Sequence, residues 1–336
     1  MQKIYKAAVI GGGNIGAGID IYKKNVRPGS HAESYLRNKR FELCAIVETN
    51  KERYAYLNKH YRGVKIYDKY DKMEDMLLAV KPDIVSVATP TKDHFNPVVL
   101  AASQKVPVIL CEKPLSYDLQ EAKTMIKKCR ENGAKLFVNH NRHYDRLMIK
   151  WSQKIKNGLL GNLEQAMFQY YNGLYNNGTH FLDLVMMFVG KPIYVMARKN
   201  KKTSWNENDI NVDGLLFFEN GLTLSIQSLS KNYGYQNVKI FGEKGMLEIG
   251  NMTYEIRYRK KIKNKNFKNF FQLDDKCQKE GGERSWMAGV IEYFAEYLDG
   301  KKQAISTGED GLAVLKVLES LKKSASLEGK IVKINY

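Results

Sequence analysis

The chain has 336 residues, 43% of them hydrophobic, so it is long and apolar enough for two domains with real cores. Its formal charge is +18, and no run approaches the roughly 20 apolar residues that cross a bilayer. Such a charge suits nucleic acid, a membrane surface or an anionic substrate. The lysines, however, are spread along the chain, and the one dense stretch, Arg257–Lys268, reads as a solvated loop rather than a nucleic-acid patch. Cys44, Cys111, Cys129 and Cys277 are scattered without a C-x-x-C pair, which argues against a disulfide framework or a metal site. The start, Met1–Lys6, has neither the long apolar centre nor the small-residue cleavage site of a signal peptide, so a cytoplasmic protein is expected, with no nucleic-acid or membrane partner.

Taken in chain order, the first part alternates buried strands and helices. Ala7–Ile10, Leu43–Val47, Ile84–Ala88, Val106–Cys111 and Leu136–Val138 are continuous apolar runs. Glu52–Tyr61, Lys72–Val80, Phe95–Gln104 and Leu119–Asn132 carry helical spacing. Strands with apolar residues on both faces, separated by helices, imply a doubly wound parallel sheet. After about residue 160 the pattern changes. Leu163–Tyr171 is a long strand, Val212–Phe218 and Leu222–Leu229 read as a hairpin, and Val238–Phe241 with Met246–Ile249 read as another. Met252–Tyr258 adds a further strand, and helices near Trp286–Leu298 and Gly308–Ser326 close the chain. The fold class is therefore α/β: an N-terminal Rossmann domain over 1–139, then an α+β domain with a large, open, mostly antiparallel sheet over 140–336.

The first strand runs into Gly11-Gly12-Gly13-Asn14-Ile15-Gly16, which fits G-x-G-x-x-G. The first glycine permits a tight turn, Gly13 lets a pyrophosphate approach the backbone, and Gly16 lets helix and strand pack closely. Free N–H groups of Asn14 and Ile15 at the helix start then meet the phosphate charge. The next strand ends at Glu48, placed to accept hydrogen bonds from an adenosine ribose, with Ile19–Ser30 read as an insertion that lengthens the gap. A carboxylate there repels a 2′-phosphate and Thr49 supplies no cation, which favours NAD over NADP; the alternative for Glu48 is a helix N-terminal acid ahead of Asn50. Two more strand ends, Ala88-Thr89-Pro90-Thr91 with His94 and Cys111-Glu112-Lys113-Pro114, face the same edge, where ligands of such sheets sit.

These segments together resemble the glucose–fructose oxidoreductase / inositol dehydrogenase (Gfo/Idh/MocA) family over nearly the whole chain. The resemblance rests on Gly11–Gly16, His31–Glu48, Thr89, Pro90 and His94, Glu112-Lys113-Pro114, the crossover Val138–Asp145, Gly178-Thr179-His180-Phe181-Leu182-Asp183, the turn Phe218–Gly221 and the run Phe241–Gly245. It implies that Lys113 touches nicotinamide ribose and substrate hydroxyl, that His180 is the acid/base, and that Glu112, Thr89 and His94 lie on the cofactor side. The family often has an aspartate where this chain has Asn176, which can hydrogen-bond but cannot stabilise an imidazolium by charge. The resemblance also implies a homodimer or homotetramer, with the open sheet face buried between subunits.

Oxidising a carbinol needs a base for the hydroxyl proton and a cation beside the developing alkoxide. Imidazole suits the first task and a lysine ammonium the second, so His180 and Lys113 are the catalytic candidates. Asp183, three residues after His180 and on the same helical face, either orients the imidazole or caps the helix. Arg142, in the polar cluster His140–His143, and Tyr175 are candidate substrate contacts beside Asn176, although a polar hinge and loop aromatics explain them equally well. The expected activity is hydride transfer between NAD(P) and a carbinol or keto carbon of a sugar, free, phosphorylated or nucleotide-linked. The alternatives are an NAD-assisted glycoside hydrolase and a non-catalytic NAD-binding regulator on the same fold.

Overall fold

A computed structural model of the chain describes residues 2–22, 28–250, 254–281 and 287–336. Expectations placed on Arg27 in the insertion, on Met252 as a strand start and on Trp286 as a helix start lie outside the described residues. Contacts divide the chain into two units, Met1–Asp145 with Ser285–Leu315, and Arg146–Arg284 with Lys316–Tyr336.

In the first unit, β1 (Tyr5–Ile10), β2 (Phe41–Val47), β3 (Lys65–Tyr67), β4 (Ile84–Val87), β5 (Val108–Cys111) and β6 (Lys135–Val138) form one parallel sheet in the order β3-β2-β1-β4-β5-β6. Every residue of β4 and β5 is buried, as strands covered on both faces must be. The connecting helices are α1 (Ile19–Tyr22), α2 (His31–Arg37), α3 (Lys51–His60), α4 (Met73–Val80), α5 (Phe95–Ser103) and α6 (Leu119–Glu131). In α6 the buried residues Ala122, Met125, Ile126 and Cys129 recur at helical spacing, and Asp118 caps the start by accepting from Gln120 N and Glu121 N at 2.7 and 2.8 Å. The strand order reverses between β1 and β4, the crevice where such sheets bind ligands.

A single boundary near residue 139 does not describe this division. The helix α9 (Met287–Leu298) and the start of α10 (Gly308–Ser326) belong with the first sheet. Val290, Ile291 and Phe294 are buried in the same core as Tyr35, Phe41 and Phe137, and the Phe294 ring meets Phe137 edge-on at 5.0 Å. Burying one such side chain contributes about 1.5–3 kcal/mol. Beyond α9, Asp299 pairs with Arg40 at 2.6 Å and accepts the Tyr5 hydroxyl at 2.8 Å. The edge of β6 is closed by Val138 N donating to Ser306 O at 2.7 Å. Apolar spacing made α9 amphipathic but could not say which sheet it serves.

The second unit holds α7 (Arg146–Lys156), β7 (Leu163–Tyr171), α8 (Thr179–Val189), β8 (Tyr194–Lys199), β9 (Val212–Phe217), β10 (Thr223–Leu229), β11 (Asn237–Gly242), β12 (Gly245–Gly250), β13 (Glu255–Lys263), β14 (Phe271–Leu273), β15 (Gln278–Gly281) and β16 (Val332–Lys333). Their order is β14-β13-β12-β11-β7-β10-β9-β8-β16, with β15 beside β13. Both expected hairpins form, and the sheet is antiparallel except where β7 and β10 run parallel. Ala166, Phe168 and Tyr170 of β7 alternate into the core, where Phe168 lies against Phe181 of α8. The opposite face carries Gln165, Met167 and Gln169 with Thr223, Ser225 and Gln227, a mixed and mostly polar surface. Arg257–Lys263, expected in a loop, form β13 instead, because Ile256 and Tyr258 alternate inward and leave the basic residues outside.

Candidate active site

The ladder of the first sheet continues one residue past several strands and brings the expected cofactor residues into one row. Gly11 N donates to Val47 O at 2.9 Å, Ala88 N to Ile10 O at 2.8 Å, Glu112 N to Val87 O at 2.8 Å and Asn139 N to Cys111 O at 2.7 Å. Glu48 N donates to Tyr67 O at 2.9 Å on the other side. Glu48, Gly11, Ala88, Glu112 and Asn139 therefore stand side by side at the carboxyl edge, each carried by a different strand.

Each motif glycine is needed for its own reason. Gly11 has φ of +97°, and a Cβ there would lie 2.7 Å from the Ala88 carbonyl. A Cβ on Gly16 would lie 1.8 Å from Gly11 O. Gly13 is different: it has an ordinary extended backbone, and a Cβ would meet nothing within 4 Å. Among the described residues no atom demands a glycine at 13, so its bareness points to a group other than those residues approaching the backbone. Asn14 and Ile15 follow as the exposed first residues of a π-helical turn, Asn14–Gly18, whose leading N–H groups lack intrahelical partners by construction. This is the cradle that a dinucleotide pyrophosphate needs, and the residues fit that group. The insertion closes on itself at this point: Asp20 accepts from Gly29 N at 2.9 Å, from Ser30 N at 2.7 Å and from Ser30 Oγ at 2.6 Å.

Glu48 is buried, with 4% exposure. Its Oε1 accepts from Asn50 N at 2.7 Å, the bond expected of an acid ahead of a helix. It is also paired with Arg53, whose Nε lies 3.1 Å from Oε2 and Nη2 3.3 Å from Oε1. The strand-end pattern alone leaves Glu48 an unopposed charge. The structure gives it a cation from the first turn of α3, out of reach of any strand-end pattern.

The two remaining loops are tied to each other. Thr89 is buried and donates to Asp93 O at 3.1 Å, while Pro90 is exposed. His94 is 1% exposed, and its Nδ1 and Nε2 lie 3.1 Å from Leu115 O and 3.0 Å from Thr89 O. The ring is thus lodged between the 89–94 turn and the loop after Lys113, one nitrogen donating to one of these two carbonyls, and the Lys113–Pro114 peptide is cis. The side chain of His94 positions loops instead of offering a nitrogen to a cofactor. Burial pushes its pKa below the usual imidazole value, so the ring is neutral at neutral pH.

Glu112 ends a buried chain of polar groups that the sequence did not reveal. Tyr35 OH and Ser86 Oγ lie 2.9 Å apart, Ser86 Oγ and His31 Nδ1 2.9 Å, and His31 Nε2 and Glu112 Oε1 2.8 Å. Asn139 Nδ2 donates to the same Oε1 at 2.6 Å, and Lys113 N donates to Oε2 at 3.3 Å. Burial is the largest single influence on Glu112 and would raise its pKa. The hydrogen bond and Coulomb attraction of His31, with Asn139 and Lys113, outweigh burial and hold the carboxyl well below the usual range. The backbone carrying Lys113 is consequently anchored by a fixed anion. The signal for His31 was present in the matched segment His31–Glu48, but its partner lies 81 residues away.

In the second unit, His180 occupies the first turn of α8, and Asp183 follows one turn later with 3% exposure. A π-helical turn, Gly173–Gly178, leads into that helix. Asp209 holds the turn from outside: Oδ1 accepts from Tyr175 N at 2.8 Å and Oδ2 from Asn176 N at 2.9 Å. Asn211 Oδ1 accepts from Gly173 N at 2.9 Å. Neither Asp209 nor Asn211 stood out in the sequence. Tyr175 is buried and hydrogen-bonds Glu319 through its hydroxyl, and Tyr170 exchanges hydrogen bonds with Val212, so both are built into the fold. Arg142, on the turn Asn141–Tyr144 of the first unit, donates to Asn141 Oδ1 at 3.2 Å. Among the described residues no group of three or more His, Cys, Asp or Glu is placed to hold a metal ion.

Comparison with known proteins agrees with this geometry. Residues 5–140 match the Gfo/Idh/MocA oxidoreductase model described as an NAD-binding Rossmann fold, and residues 173–334 match the C-terminal alpha/beta domain of the same family. D-glucoside 3-dehydrogenase of Escherichia coli K12 is 24% identical over 334 residues, covering 88% of this chain and 91% of that protein. Myo-inositol 2-dehydrogenase of Thermotoga maritima is 24% identical, covering 88% and 92%. Among solved structures, the WlbA dehydrogenase of Bordetella pertussis, in complex with NADH and UDP-GlcNAcA, aligns with a TM-score of 0.77 at 19% identity over 100% of both chains. Levoglucosan dehydrogenase, in complex with NADH and L-sorbose, aligns at 0.79 and 17% identity, again over 100% of both. Glycine cradle, strand-end row and every strand of the second sheet except β7 lie within the matched segments, and the chain belongs to the Gfo/Idh/MocA family of NAD-binding oxidoreductases.

Proposed function

We propose that the protein is an NAD-dependent dehydrogenase that oxidises a carbinol of a sugar or sugar derivative, or reduces the matching ketone. The observation that carries this reading is the clamped Glu112, which fixes the backbone of Lys113 at the same sheet edge as the open Gly13 cradle. Gly11, Gly13 and Gly16 with the N–H groups of Asn14 and Ile15 hold the pyrophosphate, and Glu48 takes the adenosine ribose. Bound NAD supplies the hydride acceptor. Lys113 lends its ammonium to the substrate hydroxyl, lowering the cost of negative charge on that oxygen as the proton leaves. His180 accepts the proton, in keeping with an imidazole that titrates near pH 6.5 in the unperturbed state. Asn176, Asp183 and Arg142 complete the substrate contacts. Relatives named for glucosides and inositol, and a neighbour bound to a nucleotide sugar, support a polyol substrate. The charge of +18 favours an anionic one.

The test is a panel of sugars, inositols, sugar phosphates and nucleotide sugars followed at the NADH absorption band. With a turned-over substrate in hand, Lys113→Met and His180→Ala are expected to lower kcat by about 10²–10⁴ while NADH affinity stays near wild type. Undiminished turnover in both variants refutes the assignment.

A further inference from the structure

We propose that Arg53 is the residue that decides between NAD and NADP, and that Glu48 keeps it in check. This rests on the reading of Glu48 as the adenosine-ribose carboxylate. In the usual argument an acid at the end of the second strand excludes NADP by repelling the 2′-phosphate. Here the acid is neutralised by its own neighbour. Arg53 Nε and Nη2 lie 3.1 and 3.3 Å from the two Glu48 oxygens. The pair is asymmetric: the Glu48 side chain is 4% exposed, whereas the Arg53 side chain is 54% exposed. The carboxylate is held by Asn50 N at 2.7 Å, while the guanidinium that meets it is half in solvent.

The backbone of Arg53 is fixed as well. Asn50 caps α3 and accepts from Arg53 N at 3.0 Å, so the guanidinium pivots on a set Cα. Arg53 leaves the pair without being desolvated, and the buried Glu48 keeps the Asn50 N hydrogen bond when it does. A phosphate monoester carrying nearly two negative charges, and able to take a guanidinium in a bidentate fork, competes well against a single carboxylate. Lys51 and Lys69 line the cleft beside Thr49 together with Asp68 and Asp71, so their charges are balanced there and the selection falls to Arg53. Arg53 therefore works in both directions. With NAD it holds Glu48 for the ribose hydroxyls, and with NADP it swings to the 2′-phosphate. The wild-type protein consequently binds both dinucleotides, with NADH ahead by about tenfold, the lower end of what one charge-assisted hydrogen bond contributes.

NADH and NADPH titrations, read by nicotinamide fluorescence, test this on the full-length wild type, Arg53→Ala, Glu48→Gln and the double variant. Arg53→Ala is expected to raise the preference for NADH by about tenfold or more, mainly through weaker NADPH binding. Glu48→Gln is expected to move the preference about tenfold toward NADPH, and removing Arg53 in that background is expected to cost NADPH more affinity than removing it from the wild type, the difference being the coupling between the two residues. A preference that stays within about twofold when Arg53 is removed, in both backgrounds, overturns the inference. Failure of the wild type to bind either dinucleotide is a different result, since it removes the ribose reading on which the inference stands.

Discussion

Gly13→Ala separates a glycine required by the fold from one required by a ligand. At Gly11 and Gly16 a methyl group runs into backbone, at 2.7 Å from the Ala88 carbonyl and 1.8 Å from Gly11 O, so alanine there breaks the turn. At Gly13 the backbone angles are φ −64° and ψ −171°, which alanine adopts freely, and the methyl meets nothing within 4 Å. Alanine at 13 is then expected to leave stability unchanged or raise it by about 0.4–1 kcal/mol through the unfolded chain. The same methyl occupies the approach of a pyrophosphate. Losing one backbone N–H bond to a charged oxygen costs about 1.5–3 kcal/mol, or roughly 10- to 100-fold in affinity. Thermal melts with and without NADH read both quantities, because saturating ligand at about 100 times its Kd adds about 2.7 kcal/mol to the folded state. Gly13→Ala should melt like the wild type alone and lose most of the NADH-induced rise. Gly16→Ala should melt lower at once. A Gly13→Ala protein that binds NADH normally, or that is destabilised as much as Gly16→Ala, refutes the reasoning.

The buried titratable groups give a pH signature in two stages. His94 has a folded pKa below its unfolded value of 6.5, so below that pH the unfolded chain binds the extra proton and stability falls on acidification. Glu112 has a folded pKa below its unfolded 4.5, so its contribution is complete above 4.5 and is lost only as pH drops further. Melting temperatures should decline first between pH 7 and 5 and again below about 4.5, and His94→Gln should flatten the first stage alone. In the second unit, Asp209→Ala releases the N–H groups of Tyr175 and Asn176, at a cost of about 1–3 kcal/mol given that one of them reaches water. Its kcat should fall while NADH affinity holds, and equal losses in both would place Asp209 in the cofactor site instead.

Legibility in the sequence followed the range of each signal. Strands β4 and β5 were plain because a strand buried on both faces is a solid apolar run, and the glycine turn was plain because its spacing is local. β3, three residues long and opening on Lys65, gave no period to detect. α7 went unread although Leu147, Met148, Trp151 and Ile155 share one face, because it lies in the polar crossover after residue 140. Lys113, Glu112 and His180 are legible as candidates because they belong to short motifs. The Glu48–Arg53 pair joins a strand end to the first turn of the following helix, a spacing no period covers. His31 and Glu112, or Asp209 and Tyr175, meet only through tertiary closure across 81 and 34 residues. Local chemistry named the functional groups, but not the partners that hold them.

The route of α9 back to the first sheet has a consequence for how the protein is made. Phe137, Tyr35 and Phe41 emerge from the ribosome with no Phe294 to cover them, and their covering helix, residues 287–298, is synthesised long after all three. The nascent nucleotide-binding half must wait, with an aromatic patch open to solvent, until residues 287–298 have been made. Contacts so distant in sequence slow folding and leave intermediates prone to aggregation. Truncation after Asp145 would preserve that unfinished state permanently, so the first half should be soluble only when residues 285–315 are supplied, on the same chain or as a separate peptide.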